Sequence, residues 1–340
     1  MSKLKKELKL YELFSIAAGA MISSGLFILP GLAYAKSGTL VIVAYFLAGI
    51  LVIPTIFSKA ELSTAMPRSG GTYYFVGRSL GQAMGSLGGM SAWFSLSFKS
   101  AFALLGIGAF AGIIFPEIHM WEIKLVALFF CLFFTAVNLF SVSHSGKIQS
   151  IMVGSLILLL LLFTAFGLKS IVLENYTLRS DVNINTVFIT AGMIFISFGG
   201  VTKIADVAEE AKNPNRDIPL SMLLAFFVVT TLYIAVIFVT VGVLGTELGT
   251  LEKYSLTPIS DAANVFWGFP GRIILGIAAL LAFISTANAG IMAASPPPLG
   301  MSRAKVLRKF FSKIQPKYQT PQNSIYFTST FMILVILLPL

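Results

Sequence analysis

Apolar runs of sixteen or more residues recur from one end of this chain to the other. Wound as a helix, about 20 such residues cross the hydrocarbon core of a bilayer. On that rule spans fall at roughly 12–34, 39–57, 83–115, 124–142, 148–170, 186–208, 219–243, 270–294 and 325–340, nine in all. The sequence predicts an all-α polytopic membrane protein. A segment 255–269, with Pro258 and Trp267, reads as an interfacial helix, and 296–320 as a basic loop opened by three prolines.

Charge then orients the chain. A formal net charge of +10 suggests nucleic acid, but only 11% of the 340 residues are charged, 56% are hydrophobic, and the mean hydropathy is +0.88. Alternate loops collect Lys3, Lys5, Lys6, Lys9, Lys59, Arg68, Arg78, Lys147, Lys212, Arg216, Arg303, Lys305, Arg308, Lys309, Lys313 and Lys317 on one side, sixteen cations. The other side has six: Lys36, Lys124, Lys169, Arg179, Lys253 and Arg272. The positive-inside rule places the first set in the cytoplasm, and with it the basic start MSKLKKELKLYELF, which has no cleavage site and reads as a retained tail over residues 1–11. This distribution explains the net charge without a nucleic-acid partner. The single cysteine, Cys131, lies in an apolar run, so neither an internal disulfide nor a disulfide-linked partner subunit is expected.

Two spans are interrupted. The first carries Ser23-Ser24-Gly25 at its centre and Pro30 beyond; the sixth carries Ser197-Phe198-Gly199-Gly200 before the charged stretch that ends at Pro219. Two consecutive glycines weaken a helix by about 1 kcal/mol each. In a bilayer, freed backbone groups survive only inside protein or along a wet cavity. Such glycines either permit close helix packing or offer backbone polar groups to a ligand. Breaks at matching places in two halves point to a transporter binding site. Five spans separate the two starts, so the halves enter the membrane from opposite sides as inverted repeats. The first repeat covers 12–170; the second, 186–340, is incomplete, with its tenth and later helices absent, and reads as a fragment or a truncated product.

These stretches resemble the amino acid permeases of the amino acid–polyamine–organocation superfamily. GAMISSGLFILPG (19–31) looks like the first-helix motif, and AELSTAMPRSGGTYYFVGRSLG (60–81) like the first cytoplasmic loop. FISFGGVTKIADVAEEAKNPNRDIP (195–219) is similar to the sixth-helix signature, and FISTANAGIMAAS (283–295) with MSR (301–303) to the eighth helix and the loop after it. The resemblance implies a LeuT-like inverted-repeat fold of 5+5 helices. It also implies that N–H groups of Ser23, Ser24 and Gly25, with the Ser24 hydroxyl, take a substrate carboxylate. Carbonyls of Met21, Ile196 and Gly199 take its ammonium, and Phe198 and Ile196 wall its side chain. Ser23 stands where many members have glycine, and Thr202 near where many carry an acid. Ser197 and Gly200 complete the candidate site. Some relatives hold a lysine in span five at a sodium position, and this sequence has none there. Ser285 and Thr286 are hydroxyls of the type that help hold sodium, or else bond back to their own helix. Coupling to a proton, to sodium or to neither stays open.

The remaining polar residues are few. Lys99 lies mid-span, where an ammonium costs roughly 2.5–3.5 kcal/mol on insertion scales; no acid lies in that span, so it reads as a functional group for coupling or substrate. Lys203, near the cytoplasmic side, reads as snorkelling to water. Arg68 with Glu209 and Glu210 forms either an inner gate or ordinary solvated loop charge. His119 and His144 are far apart without ligand spacing, so no metal site is expected, and no other cofactor either. No catalytic constellation or phosphate-binding loop appears, which argues against an enzyme or an ATP-driven pump.

The sequence therefore predicts a secondary active permease of the plasma or inner membrane that works by alternating access. No acid lies in residues 13–34, 83–116, 186–205 or 273–295, and Met193, Phe195, Ile196 and Phe198 offer apolar surface. Neutral, apolar amino acids are the expected substrates. Two alternatives are an acidic amino acid paired with Lys99 and a transport-inactive truncated protein.

Overall fold

A computed structural model describes residues 4–338 apart from 116 and 179–181. Lys3 and Arg179, counted above by charge, lie outside the described residues. Helix dominates, and no strand forms among the described residues; two isolated bridges join Leu8 to Ala211 and Gly249 to Tyr254. The helices are α1 Leu10–Met21, α2 Ser24–Phe27, α3 Leu29–Ser37, α4 Val41–Ala65, α5 Gly71–Leu80, α6 Gln82–Leu105 and α7 Ile107–Ile114. Then follow α8 Met120–Phe140, α9 Val142–Gly167, α10 Ile184–Phe198, α11 Pro214–Leu244, α12 Pro258–Ala294, α13 Pro296–Arg303 and α14 Gln322–Leu337.

Among the described residues, seven helical stretches are long and apolar enough to cross a membrane, and α1 and α14 are shorter apolar helices. An all-α polytopic membrane protein is therefore what the sequence builds. Several boundaries differ from the sequence reading, each for a local reason. The first span is three pieces, α1 to α3, because Ile22 and Ser23 leave the helical region (φ −76, ψ 92 and φ −152, ψ −129). The second span runs on to Ala65 through Pro54; the Ser58 hydroxyl bonds back to the Pro54 carbonyl at 2.9 Å. The stretch read as a first cytoplasmic loop contains α5, an amphipathic helix that buries Tyr73 and Phe75. The interfacial helix and span eight are one helix, α12, bent at Gly268 (φ 65), a backbone state that favours glycine. The three prolines open α13, since Pro suits the first turn of a helix, where the N–H has no partner.

The core lies around α12, which packs against α1, α6, α7 and α9. A polar chain stitches this centre together. The Asn138 amide donates to Asn288 Oδ1 at 3.0 Å, and the Ser145 hydroxyl donates to the same oxygen at 2.8 Å. Asn288 Nδ2 donates to Gln149 Oε1 at 2.9 Å, and Gln149 Nε2 reaches the Ser15 carbonyl at 3.2 Å. All of these side chains are buried. With no water in a bilayer core, such pairs fix α1, α8, α9 and α12 relative to one another.

Candidate functional site

The two interrupted helices meet at their interruptions. A β-carbon on Gly25 would stand 2.2 Å from Ser197 Oγ, and one on Gly200 would stand 2.5 Å from the Met21 amide nitrogen. Both glycines therefore serve close approach, which L side chains would block. Ser24 and Gly25 open α2, so their N–H groups precede the first intrahelical acceptor. Ser23 is buried, and its carbonyl accepts from the N–H groups of Leu26 and Phe27 at 3.0 Å each. After Gly200 the chain does not continue as the α-helix expected to 208; Val201–Glu210 winds as a tighter 3₁₀ helix.

The carbonyls at the breaks are already engaged once. Met21 O accepts from the Tyr233 hydroxyl at 2.6 Å, and Gly25 O from the Tyr45 hydroxyl at 2.6 Å. The two rings meet edge to face, with centroids 5.6 Å apart. Ile196 O accepts from the Gly199 N–H at 3.2 Å, and Gly199 O from the Thr202 hydroxyl at 3.0 Å. A carbonyl has two lone pairs, so each keeps capacity for one further donor.

Beside the breaks lies a cavity of about 260 Å³ lined by Ser24, Gly25, Ile28, Leu29 and Leu32 of the first span, Met193, Ile196 and Ser197 of α10, and Tyr254. Ile196 is exposed to it. Phe198 is not part of that wall: it is fully buried, with its ring 5.3 Å from Tyr233. Phe195 is likewise absent from the lining. Sequence reading missed Ile28, Leu29, Leu32 and Tyr254. The first three follow the motif by a helical repeat and were legible as a face. Tyr254 comes from the loop before α12, placed by a Gly249–Tyr254 bridge and by Ser255, whose carbonyl is seated on Gly31.

The buried charges are arranged differently from the sequence reading. Lys203 does not snorkel: only 2% of it is exposed, and its Nζ has no hydrogen-bond partner among the described residues. The 3₁₀ winding after Gly200 turns it inward. Lys99 of α6, half-buried, and Asp206 are the charged groups acting on it. Asp206 was passed over because it lies one residue beyond the stretch read for acids. It is buried, and its Oδ1 accepts from the Thr72 N–H at 3.4 Å. Of the two candidate ion-site hydroxyls in α12, Ser285 bonds back to Ala282 O at 3.0 Å, while Thr286 reaches across to Gly19 O at 2.7 Å.

At the end of the 3₁₀ segment Glu209 gathers three separate parts of the chain. Its carboxylate accepts from Arg303 Nη1 at 2.7 and 2.9 Å, from the Ser69 N–H at 3.1 Å and from the Ser69 hydroxyl, and from the Leu4 N–H at 3.5 Å. Arg68, expected as the partner, instead lies 6.0 Å over the Tyr74 ring, because the 66–70 turn aims Ser69 rather than Arg68 at the carboxylate. The Glu210 side chain is buried and faces a small cavity with Asn138 and Ser295. Its carbonyl accepts from the N–H groups of Glu7 and Leu8 at 2.9 and 3.0 Å, so residues 4–8 are sewn to the bundle rather than trailing from it.

A helical bundle with two broken spans pressed together beside a cavity is the architecture of a membrane transporter. The amino acid permease family matches residues 8–340, and the chain belongs to that family, within the amino acid–polyamine–organocation superfamily. It is similar to the inner membrane transport protein YbaT of Escherichia coli, 29% identical over 324 residues, covering 94% of this chain and 75% of that protein. The branched-chain amino acid permease BcaP of Bacillus subtilis is 26% identical over 346 residues, covering 96% and 73%. The methylthioribose transporter of the same organism is 24% identical over 353 residues, covering 96% and 73%.

Proposed function

We propose that this chain is a secondary active permease for amino acids with neutral, apolar side chains, working by alternating access around the breaks in spans one and six. The observation that carries this reading is the cavity: free helix-start N–H groups of Ser24 and Gly25 at one end and the apolar walls of Ile28, Leu29, Leu32, Met193 and Ile196 around it. The N–H groups and the Ser24 hydroxyl take the carboxylate, where the helix dipole favours an anion. Carbonyls of Met21, Ile196 and Gly199 take the ammonium; of the three, Ile196 belongs to the cavity lining, and Met21 is fully buried beside it at the break. The name of one relative, a branched-chain amino acid permease, agrees with the apolar walls; that of another, a methylthioribose transporter, assigns that protein a different cargo.

In this reading the halves 12–170 and 186–340 are inverted repeats of a LeuT-like fold, and the N terminus faces the cytoplasm of a plasma or inner membrane. The Glu209 cluster closes the cytoplasmic side and parts when the site opens inward. Thr286, whose hydroxyl bonds Gly19 O, is the candidate surrounding for a coupling proton or sodium.

A second reading is favoured by one observation. Lys203 is buried, its Nζ has no hydrogen-bond partner among the described residues, and besides Asp206 the cation Lys99 acts on it. An acidic side chain would satisfy both cations, since an unpaired buried charge costs several kcal/mol. Competition of labelled leucine uptake by the twenty amino acids, in proteoliposomes of the purified protein, separates the two. Inhibition by leucine, isoleucine and alanine supports the first reading, and selective inhibition by glutamate and aspartate supports the second. Inhibition by arginine and lysine alone contradicts both.

A further inference from the structure

The segment between α13 and α14 carries Lys305, Arg308, Lys309, Lys313 and Lys317, and all five are exposed. No acidic residue occurs anywhere in the sequence after Asp261, and no ion pair engages these five cations among the described residues. Between them the Phe310 side chain is 62% exposed, while the adjacent Phe311 packs on Phe327 of α14 with ring centroids 5.0 Å apart.

This segment is fixed. Asn323 Nδ2 donates to the Phe310 carbonyl at 2.7 Å, and the Ser324 hydroxyl to the Phe311 carbonyl at 3.3 Å. Both donors stand in the first turn of α14. The Ser302 hydroxyl holds the Arg308 carbonyl at 2.7 Å from the other side. The cations and the bare ring are thus presented at the level where an apolar helix begins. Beside basic residues an apolar Phe ring buries at the headgroup–acyl boundary, and each Lys or Arg near an anionic leaflet gains about 1 kcal/mol. Charges needed only to orient the chain require neither a fixed backbone nor an exposed phenylalanine among them.

We infer that this segment is a docking surface for anionic phospholipid headgroups, with Phe310 inserted among them and the five cations on their phosphates. The inference is independent of the substrate reading. The test reconstitutes the protein in a 4:1 mixture of phosphatidylcholine and phosphatidylglycerol (about one anionic lipid in five), recovers it with its bound lipids and measures their ratio by mass spectrometry. Phosphatidylglycerol should be enriched about threefold or more over the bulk ratio, and raised salt should abolish the enrichment. The variant Lys305→Gln/Arg308→Gln/Lys309→Gln/Lys313→Gln should return it to the bulk ratio, and Phe310→Ser should lower it. A bulk ratio around the wild-type protein overturns the inference without any variant, as does full enrichment around the quadruple variant. If inorganic phosphate displaces the lipid better than chloride at equal ionic strength, the surface is a phosphate site instead and the inference fails.

Discussion

Gly200 and Met21 meet main chain to main chain: a β-carbon on Gly200 would lie 2.5 Å from the Met21 amide nitrogen and 2.5 Å from the Ala20 carbonyl carbon. No side chain stands between them to give way. The break in span six is seated on the break in span one.

Gly200→Ala should accordingly cost about 1–3 kcal/mol, the usual penalty for overpacking a tight contact. It should also reduce uptake by more than the loss of folded protein accounts for. Thermal melting of the purified variant, set beside its uptake in proteoliposomes, checks this. Unchanged melting with unchanged uptake would show that the breaks are not in register.

Tyr233→Phe removes the donor from the buried Met21 carbonyl. Leaving a buried acceptor unsatisfied costs about 1–3 kcal/mol, so melting should fall measurably. Tyr45→Phe does the same at Gly25 O. Because the two rings touch, the double variant should deviate from additivity. Strict additivity across the melting cycle would show that the pair does not act as a unit.

The breaks themselves were legible because glycine, serine and proline in an apolar run are chemically loud. What lay around them was less so. Lys203 and Asp206 sit in a segment whose 3₁₀ winding no residue announces, so an α-helical reading put the lysine at the membrane edge. The Arg303 partnership needed the tertiary fold: Arg303 lies 94 residues from Glu209 and Arg68 farther still, so sequence distance could not choose between them. Tyr254 lies in a loop without periodicity, and it reaches the cavity through the Gly249–Tyr254 bridge and the seating of its neighbour Ser255 on Gly31. Helix class came from hydropathy; of the nine spans read, seven are helical stretches long enough to cross among the described residues, and α1 and α14 are shorter. Partners came from geometry that hydropathy does not encode.

The closure proposed for the Glu209 cluster on the cytoplasmic side gives a discriminating pair of variants. The Glu209 and Arg303 side chains are only 15% and 19% exposed, so their pairing is worth more than a surface contact. In a Cys131→Ser background with a cysteine at Ala205, Arg303→Ala should raise the rate of thiol labelling from the cytoplasmic side about tenfold, the equivalent of roughly 1.4 kcal/mol. Arg68→Ala should leave it nearly unchanged. Equal effects of the two would return the gate to Arg68.

Tyr254 should set how large a side chain the cavity accepts. Tyr254→Ala enlarges the mouth, so bulky competitors such as phenylalanine should gain inhibitory strength relative to alanine, by about 10-fold or less, the range a few methylenes supply in an apolar pocket. An inhibition order identical to wild type would remove Tyr254 from the site.

The central claim is that an amino acid binds where the two breaks meet. The most direct measurement is equilibrium binding of radiolabelled leucine to purified wild-type protein and to Gly25→Val, with folding of both verified by size-exclusion chromatography. Valine at position 25 would drive its side chain into Ser197, whose Oγ lies 2.2 Å from the β-carbon position, and would cover the N–H groups proposed to take the carboxylate. Saturable binding to wild type, competed by neutral apolar amino acids and absent from Gly25→Val, is the expected result. Saturable binding of equal affinity to a well-folded Gly25→Val would contradict it.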